Sequence, residues 1–96
     1  MTIFIVAQLR FKDRDRYERY QTRFAGVFSK FRDRLLAADE HPRILEGQGA
    51  PDKVGVLEFP DEAAALEFQN SAEYQEISID RKAGADALVL QFRGLP

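Results

Sequence analysis

Thr2-Ile3-Phe4-Ile5-Val6-Ala7-Gln8-Leu9-Arg10 opens the chain with strict alternation. Ile3, Ile5, Ala7 and Leu9 fall on one side of an extended segment and Phe4, Val6, Gln8 and Arg10 on the other, and Ile and Val favour strands. From Asp13 to about Leu36 the period changes. Tyr17, Tyr20, Phe24, Val27, Phe28, Phe31 and Leu35 step by three, four or one, which predicts one long amphipathic helix with Asp13 as its N-cap. Gly26 lies inside that pattern, either as a point of close helix–sheet approach or as a weak point.

Further along, Pro42 is expected at a bulge or sheet edge because it cannot donate to a ladder, and Arg43 to Glu46 resumes an extended pattern. Gly47 to Pro51 is a turn. Lys53 to Phe59 is another strand, with Val54, Val56 and Glu58 on one face and Gly55, Leu57 and Phe59 on the other. Asp61 caps a helix over Glu62 to Gln69, and Ser71 caps another from Ala72 to about Lys82, in which Tyr74, Ile77 and Arg81 share a side. Ala87 to Arg93 is the last strand, setting Leu88, Leu90 and Phe92 against Val89, Gln91 and Arg93.

The order β, α, β, β, α, β over residues 1–96 predicts a single α+β domain of the ferredoxin-like, split βαβ type: a four-stranded antiparallel sheet with the helices on one face. The other face is then bare. It would carry an apolar set drawn from Phe4, Val6, Val89, Leu57 or their opposite-parity neighbours. A large exposed apolar patch marks an interaction site, and two-fold homodimers are the commonest assembly, so a homodimer through the open sheet face is expected.

At 96 residues there is room for one domain. A hydrophobic share of 45% and a charged share of 31% are those of an ordinary globular chain. The absence of cysteine excludes a disulfide framework, a thiolate metal site and a thiol nucleophile. No apolar run approaches the roughly 20 residues of a bilayer helix, and no leader pattern precedes the first strand, so the expected location is the cytoplasm. Net charge is −2. Neither that balance nor the mixed-sign run Lys12-Asp13-Arg14-Asp15-Arg16 suits a nucleic-acid surface. No phosphate loop, dinucleotide fingerprint or nucleophile elbow is present.

A set of motifs spread over nearly the whole chain resembles the domain-of-unknown-function family DUF1330, a branch of the dimeric α/β-barrel superfamily. It comprises Tyr17-x-x-Tyr20, Leu45-Glu46-Gly47, Val54-x-x-Leu57-Glu58-Phe59-Pro60-x-x-x-Ala64, Ser71-x-x-Tyr74-Gln75, Arg81, and a closing strand ending at Gly94. The chain departs from the family pattern at Arg32-Asp33-Arg34, where Gly-Gly is usual, and at Ala72, where Pro is common. The resemblance implies a ferredoxin-like fold and a dimer whose two sheets close into a barrel. It implies no particular activity, because fold does not fix function.

Glu46 and Glu58 form the candidate acid–base pair. Glu58 stands in an otherwise apolar strand, where burial would raise its pKa and make it a proton donor or base; the alternative is a carboxylate paired with Arg81, Arg93 or Arg10. Tyr74 and Arg81, two turns apart on one helical face, could clamp a small acid or enolate. They could equally be a packed ring and an ion-paired guanidinium. Tyr17 and Tyr20 read as packing residues. His41, the sole histidine, lies in a polar run and lacks metal spacing. The expectation is thus a cofactor-free, metal-free enzyme acting on a small organic acid, aromatic or lactone, with Glu58, Glu46, Tyr74 and Arg81 as its catalytic set. A non-catalytic small-ligand binding module or a structural dimer is the alternative.

Overall fold

β1 (Ile3–Phe11) runs through the middle of the sheet because both of its faces are apolar over most of its length. The computed structural model describes residues 1–96. After β1 come α1 (Arg14–Phe28), β2 (Arg34–Asp39), β3 (Lys53–Phe59), α2 (Glu62–Asn70), α3 (Ala72–Gly84) and β4 (Ala85–Arg93). The sheet order is β2-β3-β1-β4, and every neighbouring pair is antiparallel. This is the expected ferredoxin-like arrangement, with the second helical segment divided into α2 and α3.

Helix starts follow the capping residues read from the sequence. The Asp13 carboxylate accepts from the Arg16 amide at 3.3 Å, Asp61 from Ala64 at 2.8 Å, and the Ser71 hydroxyl from Tyr74 at 3.2 Å. Each satisfies a first-turn N–H that has no helical acceptor. α1 and α3 lie antiparallel, joined by Arg16–Asp80 at 2.7 Å, Arg23–Glu76 at 3.2 Å and Lys30–Glu73 at 2.5 Å. The latter two are well exposed and contribute little; the more enclosed Arg16–Asp80 pair fixes the register better.

Register decides which face each residue takes. Ile3, Ile5 and Leu9 are buried under the helices, and their partners Phe59, Leu57 and Lys53 on β3 share that face. Phe68 sits at the centre of the core, its ring centroid 5.4 Å from that of Phe28, 5.5 Å from Phe31 and from Phe59, and 4.4 Å from Tyr74. Such tilted and edge-on pairs add to the burial of aromatic area. The opposite face carries Phe4, Val6, Val54, Val56, Leu88, Leu90 and Phe92. Leu88, Leu90 and Phe92 remain 54, 48 and 47% exposed. Val89 and Leu57, named above among candidates for this face, belong by register to the helix side.

Three expectations need correction. α1 ends at Phe28 and does not reach Leu36. Its last turn tightens, with the Lys30 amide donating to Val27 O at 3.1 Å and Phe31 to Phe28 O at 3.2 Å. Phe31 still reaches Phe68, and Leu35 pairs with Leu57 on β3, so both stay apolar after the helix has ended. Second, the strand expected at Arg43 to Glu46 is instead β2, eight residues or so earlier; residues 43–46 lie in the connection to β3. Gly47 and Gly49, with φ of 94° and 120°, turn that connection, as conformations glycine adopts without steric cost. Third, of the two readings of Gly26 only the close approach falls, because no atom lies near its missing side chain. Gly84 is the position of close approach: a Cβ there would press on the Tyr17 amide nitrogen and lie 2.8 Å from the Asp13 carbonyl oxygen.

Candidate functional site

A cavity of about 270 Å³ lies between the helix-facing side of the sheet and α1 and α3. Its floor is apolar, from Ile5, Ala7 and Leu9 on β1 with Leu57 and Val89 beside them. The polar residues that line it are Tyr17, Tyr20, Gln21, Lys53, Tyr74 and Arg81. No aspartate, glutamate or histidine lines it.

Arg81 reaches this space because the end of α3 is pinned to the β1–α1 turn. The Gly84 carbonyl accepts from the amides of Lys12 at 2.9 Å and Asp13 at 3.0 Å. One helical turn back, Arg81 projects from the face that also carries Tyr74 and buried Ile77. Its Nε is buried with no hydrogen-bond partner, and Arg81 belongs to none of the chain's ion pairs. An orphaned charged donor is a costly feature.

Two phenols stand beside it. The Tyr20 and Tyr74 hydroxyls are 3.4 Å apart, one donating to the other. Burial, then the neighbouring Tyr74, pushes the Tyr20 hydroxyl well above its ordinary pKa of 10.0, and the Arg81 charge opposes part of that rise. At neutral pH Tyr20 is therefore a protonated hydrogen-bond donor.

Lys53 enters from the start of β3, at a position Asp52 fixes. The Asp52 amide donates to Leu9 O at 2.7 Å, and its carboxylate accepts from the Phe11 amide at 2.8 Å. Lys53 then lies under α1 with its ammonium 5.1 Å from the Tyr17 ring centroid, a cation–π contact.

The structure thus brings together Tyr74 and Arg81, two of the four residues expected to carry chemistry, and separates the other two from them. Glu58 pairs in register with Phe4 and faces the open side of the sheet, where Arg34 Nη1 lies 3.4 Å from its carboxylate. The sheet itself stands between Glu58 and the cavity. Glu46 is exposed in the β2–β3 connection. Neither is a cleft residue, because alternation shows which residues share a face but not which face the helices cover. Tyr20 and Lys53 were not read as site residues. The signal for Lys53 was its parity: it shares a face with Gly55, Leu57 and Phe59, an ammonium on an otherwise apolar side. His41 lies exposed in the β2–β3 connection, its amide donating to Asp39 Oδ1 at 2.8 Å.

Solved structures share this architecture. A protein of unknown function from Rhodopseudomonas palustris, RPA0582, superimposes with a TM-score of 0.84 at 19% identity, over 99% of this chain and 83% of that one. SnoaB from Streptomyces nogalater, described as a cofactor-independent oxygenase, gives 0.70 at 14% identity over 99% and 94%. A protein from Thermobifida fusca described as dimeric and ferredoxin-like gives 0.69 at 18% identity over 96% and 90%. At such identities the likeness establishes the fold alone. No curated protein matches the chain. The model of the domain of unknown function DUF1330 matches residues 2–95, and the chain belongs to that family.

Proposed function

We infer that the cleft binds a small organic anion with a flat apolar body, held at its charged end by Arg81 and by the Tyr20 and Tyr74 hydroxyls. The observation that carries this reading is the buried, unpartnered Arg81 Nε at the wall of a cavity without carboxylates. A bound carboxylate, phenolate or enolate oxygen supplies the missing acceptor. The volume lies just under the roughly 300–1,000 Å³ of pockets for drug-sized ligands, which suits a single-ring compound.

The same groups suit a cofactor-independent reaction. Fixed donors and a cation in an apolar cleft stabilise negative charge as it develops on oxygen, the main electrostatic device of enolate chemistry. The oxygenase description of SnoaB supports that extension. In this reading Arg81 and the phenols lower the energy of an enolate or phenolate, and Glu46 and Glu58 take no part.

The assembly is a homodimer through the open face, supported by the apolar row Val6, Leu88, Leu90 and Phe92 and by the dimeric description of the Thermobifida fusca protein.

Calorimetric titration with benzoate tests the site. The wild type is expected to bind saturably, and Arg81→Met to weaken binding about tenfold or more, the loss of a charge-assisted hydrogen bond. Equal affinity in both proteins, or no binding by the wild type to benzoate and its hydroxylated analogues, would overturn the reading.

A further inference from the structure

The cavity is lined by a second cation, Lys53, which the reading above does not use. Lys53 is only 9% exposed, yet its ammonium has a single acceptor, the neutral Gln21 Oε1 at 3.3 Å. Like Arg81, it belongs to none of the chain's ion pairs. An ammonium has three donors, and burying one against a neutral amide leaves its charge uncompensated. Asp52, the preceding residue, forms no ion pair with it; its carboxylate turns to the Phe11 amide instead.

The two cations approach from different elements, Arg81 from α3 and Lys53 from β3. α1 serves both, with Tyr20 near Arg81 and Gln21 accepting from Lys53. Tyr17 lies between: its ring centroid is 5.6 Å from that of Tyr20 and 5.1 Å from the Lys53 ammonium. Two positive charges and no negative one therefore face a single small cavity with an apolar floor.

The geometry points to Lys53 and Gln21 as a second anion-reading subsite, so that the ligand is a small aromatic dianion with an acidic oxygen group at each end of one flat body. This rests on the Arg81 reading and adds the ligand class to it. A monoanion fills one end and leaves the Lys53 ammonium short of acceptors. A dianion matches the charge at both ends, and the ring lies on the apolar floor between them.

Calorimetry on the full chain with benzoate, isophthalate and terephthalate tests this. At least one of the dicarboxylates is expected to bind the wild type about tenfold more tightly than benzoate, roughly 1.4 kcal/mol. Lys53→Met should bring that ratio to about one, and Lys53→Arg, which keeps the charge, should restore most of it. If Lys53→Met does not fold, Gln21→Leu should still lower the ratio. A wild-type ratio near one for both dicarboxylates, or a ratio that survives Lys53→Met, overturns the second subsite while Arg81-dependent benzoate binding stands. Failure of benzoate, its hydroxylated analogues and both dicarboxylates to bind removes both readings.

Discussion

The Tyr20 hydroxyl on α1 and the Tyr74 hydroxyl on α3 face each other at 3.4 Å across the wall of the cleft. That is longer than the 2.5–3.0 Å of a tight hydroxyl pair. The two phenols are held by ring packing, Tyr74 on Phe68 and Tyr20 on Tyr17 and Phe24, more than by each other. Their hydroxyls are thus placed by the core and free to turn toward a third oxygen.

The raised Tyr20 pKa makes stability fall at high pH. Above its ordinary value of 10.0 the unfolded chain releases this proton and the folded chain keeps it. The unfolded state then binds fewer protons, and stability drops by about 1.4 kcal/mol per pH unit from this group. Urea denaturation between pH 9 and pH 11 should show a steeper loss for wild type than for Tyr20→Phe; equal slopes would contradict the assignment.

Asp33 gives a second pH dependence, in the acid range. Burial pushes its carboxyl up from 3.8 to about 6, and its Oδ2 has no hydrogen-bond partner. With the folded value above the unfolded one, this group's contribution is fully present below about pH 4 and lost as pH rises through 6. Asp33→Asn should therefore be more stable than wild type at pH 7, by about 1 kcal/mol or less because the residue is only partly enclosed. The two proteins should converge at pH 3.5. Thermal melting at both pH values checks the sign.

The two glycines of the helical layer predict opposite outcomes. Gly84→Ala drives a methyl into backbone atoms of Tyr17 and Asp13, which cannot swing aside, and should cost about 2 kcal/mol or more. Gly26→Ala meets nothing within 4 Å on the exposed side of α1 and should stabilise by about 0.5–1 kcal/mol. Chemical denaturation of both variants decides the matter, and a destabilised Gly26→Ala would contradict the helix geometry.

Much of this layout is legible in the sequence. β1 and β3 carry their faces in strict alternation, and Asp13, Asp61 and Ser71 announce three helix starts. β2 is hidden for a physical reason. Arg34-Leu35-Leu36-Ala37-Ala38-Asp39 has no β-branched residue and is an exposed edge strand, and a register shift between Leu35 and Ala37 breaks its alternation. Phe31 and Leu35 then continue the helical spacing by coincidence: Phe31 packs on the core from a non-helical backbone, and Leu35 is a half-exposed residue of the edge strand paired with Leu57. Tyr74 and Arg81 were found because i and i+7 share a helix face. Glu58 was misplaced because its partners of like parity, Val54 and Val56, are apolar on the side without helices.

The open face predicts assembly. Leu90 pairs with Val6 in the middle of that face and is 48% exposed in the isolated chain. Sedimentation at micromolar concentration should give twice the 11.0 kDa chain mass for wild type. Leu90→Asp places a charge where a second copy would desolvate it and should sediment as a single chain. A single-chain wild type would contradict the dimer.

The central claim is that the Arg81 Nε–H waits for an anionic oxygen, and its own proton resonance is the most direct witness. Titration of isotope-labelled protein with benzoate should move the Arg81 Nε–H signal downfield, saturably, and slow its exchange with water. A signal that stays in place and keeps its exchange rate while benzoate reaches millimolar concentration would contradict the account.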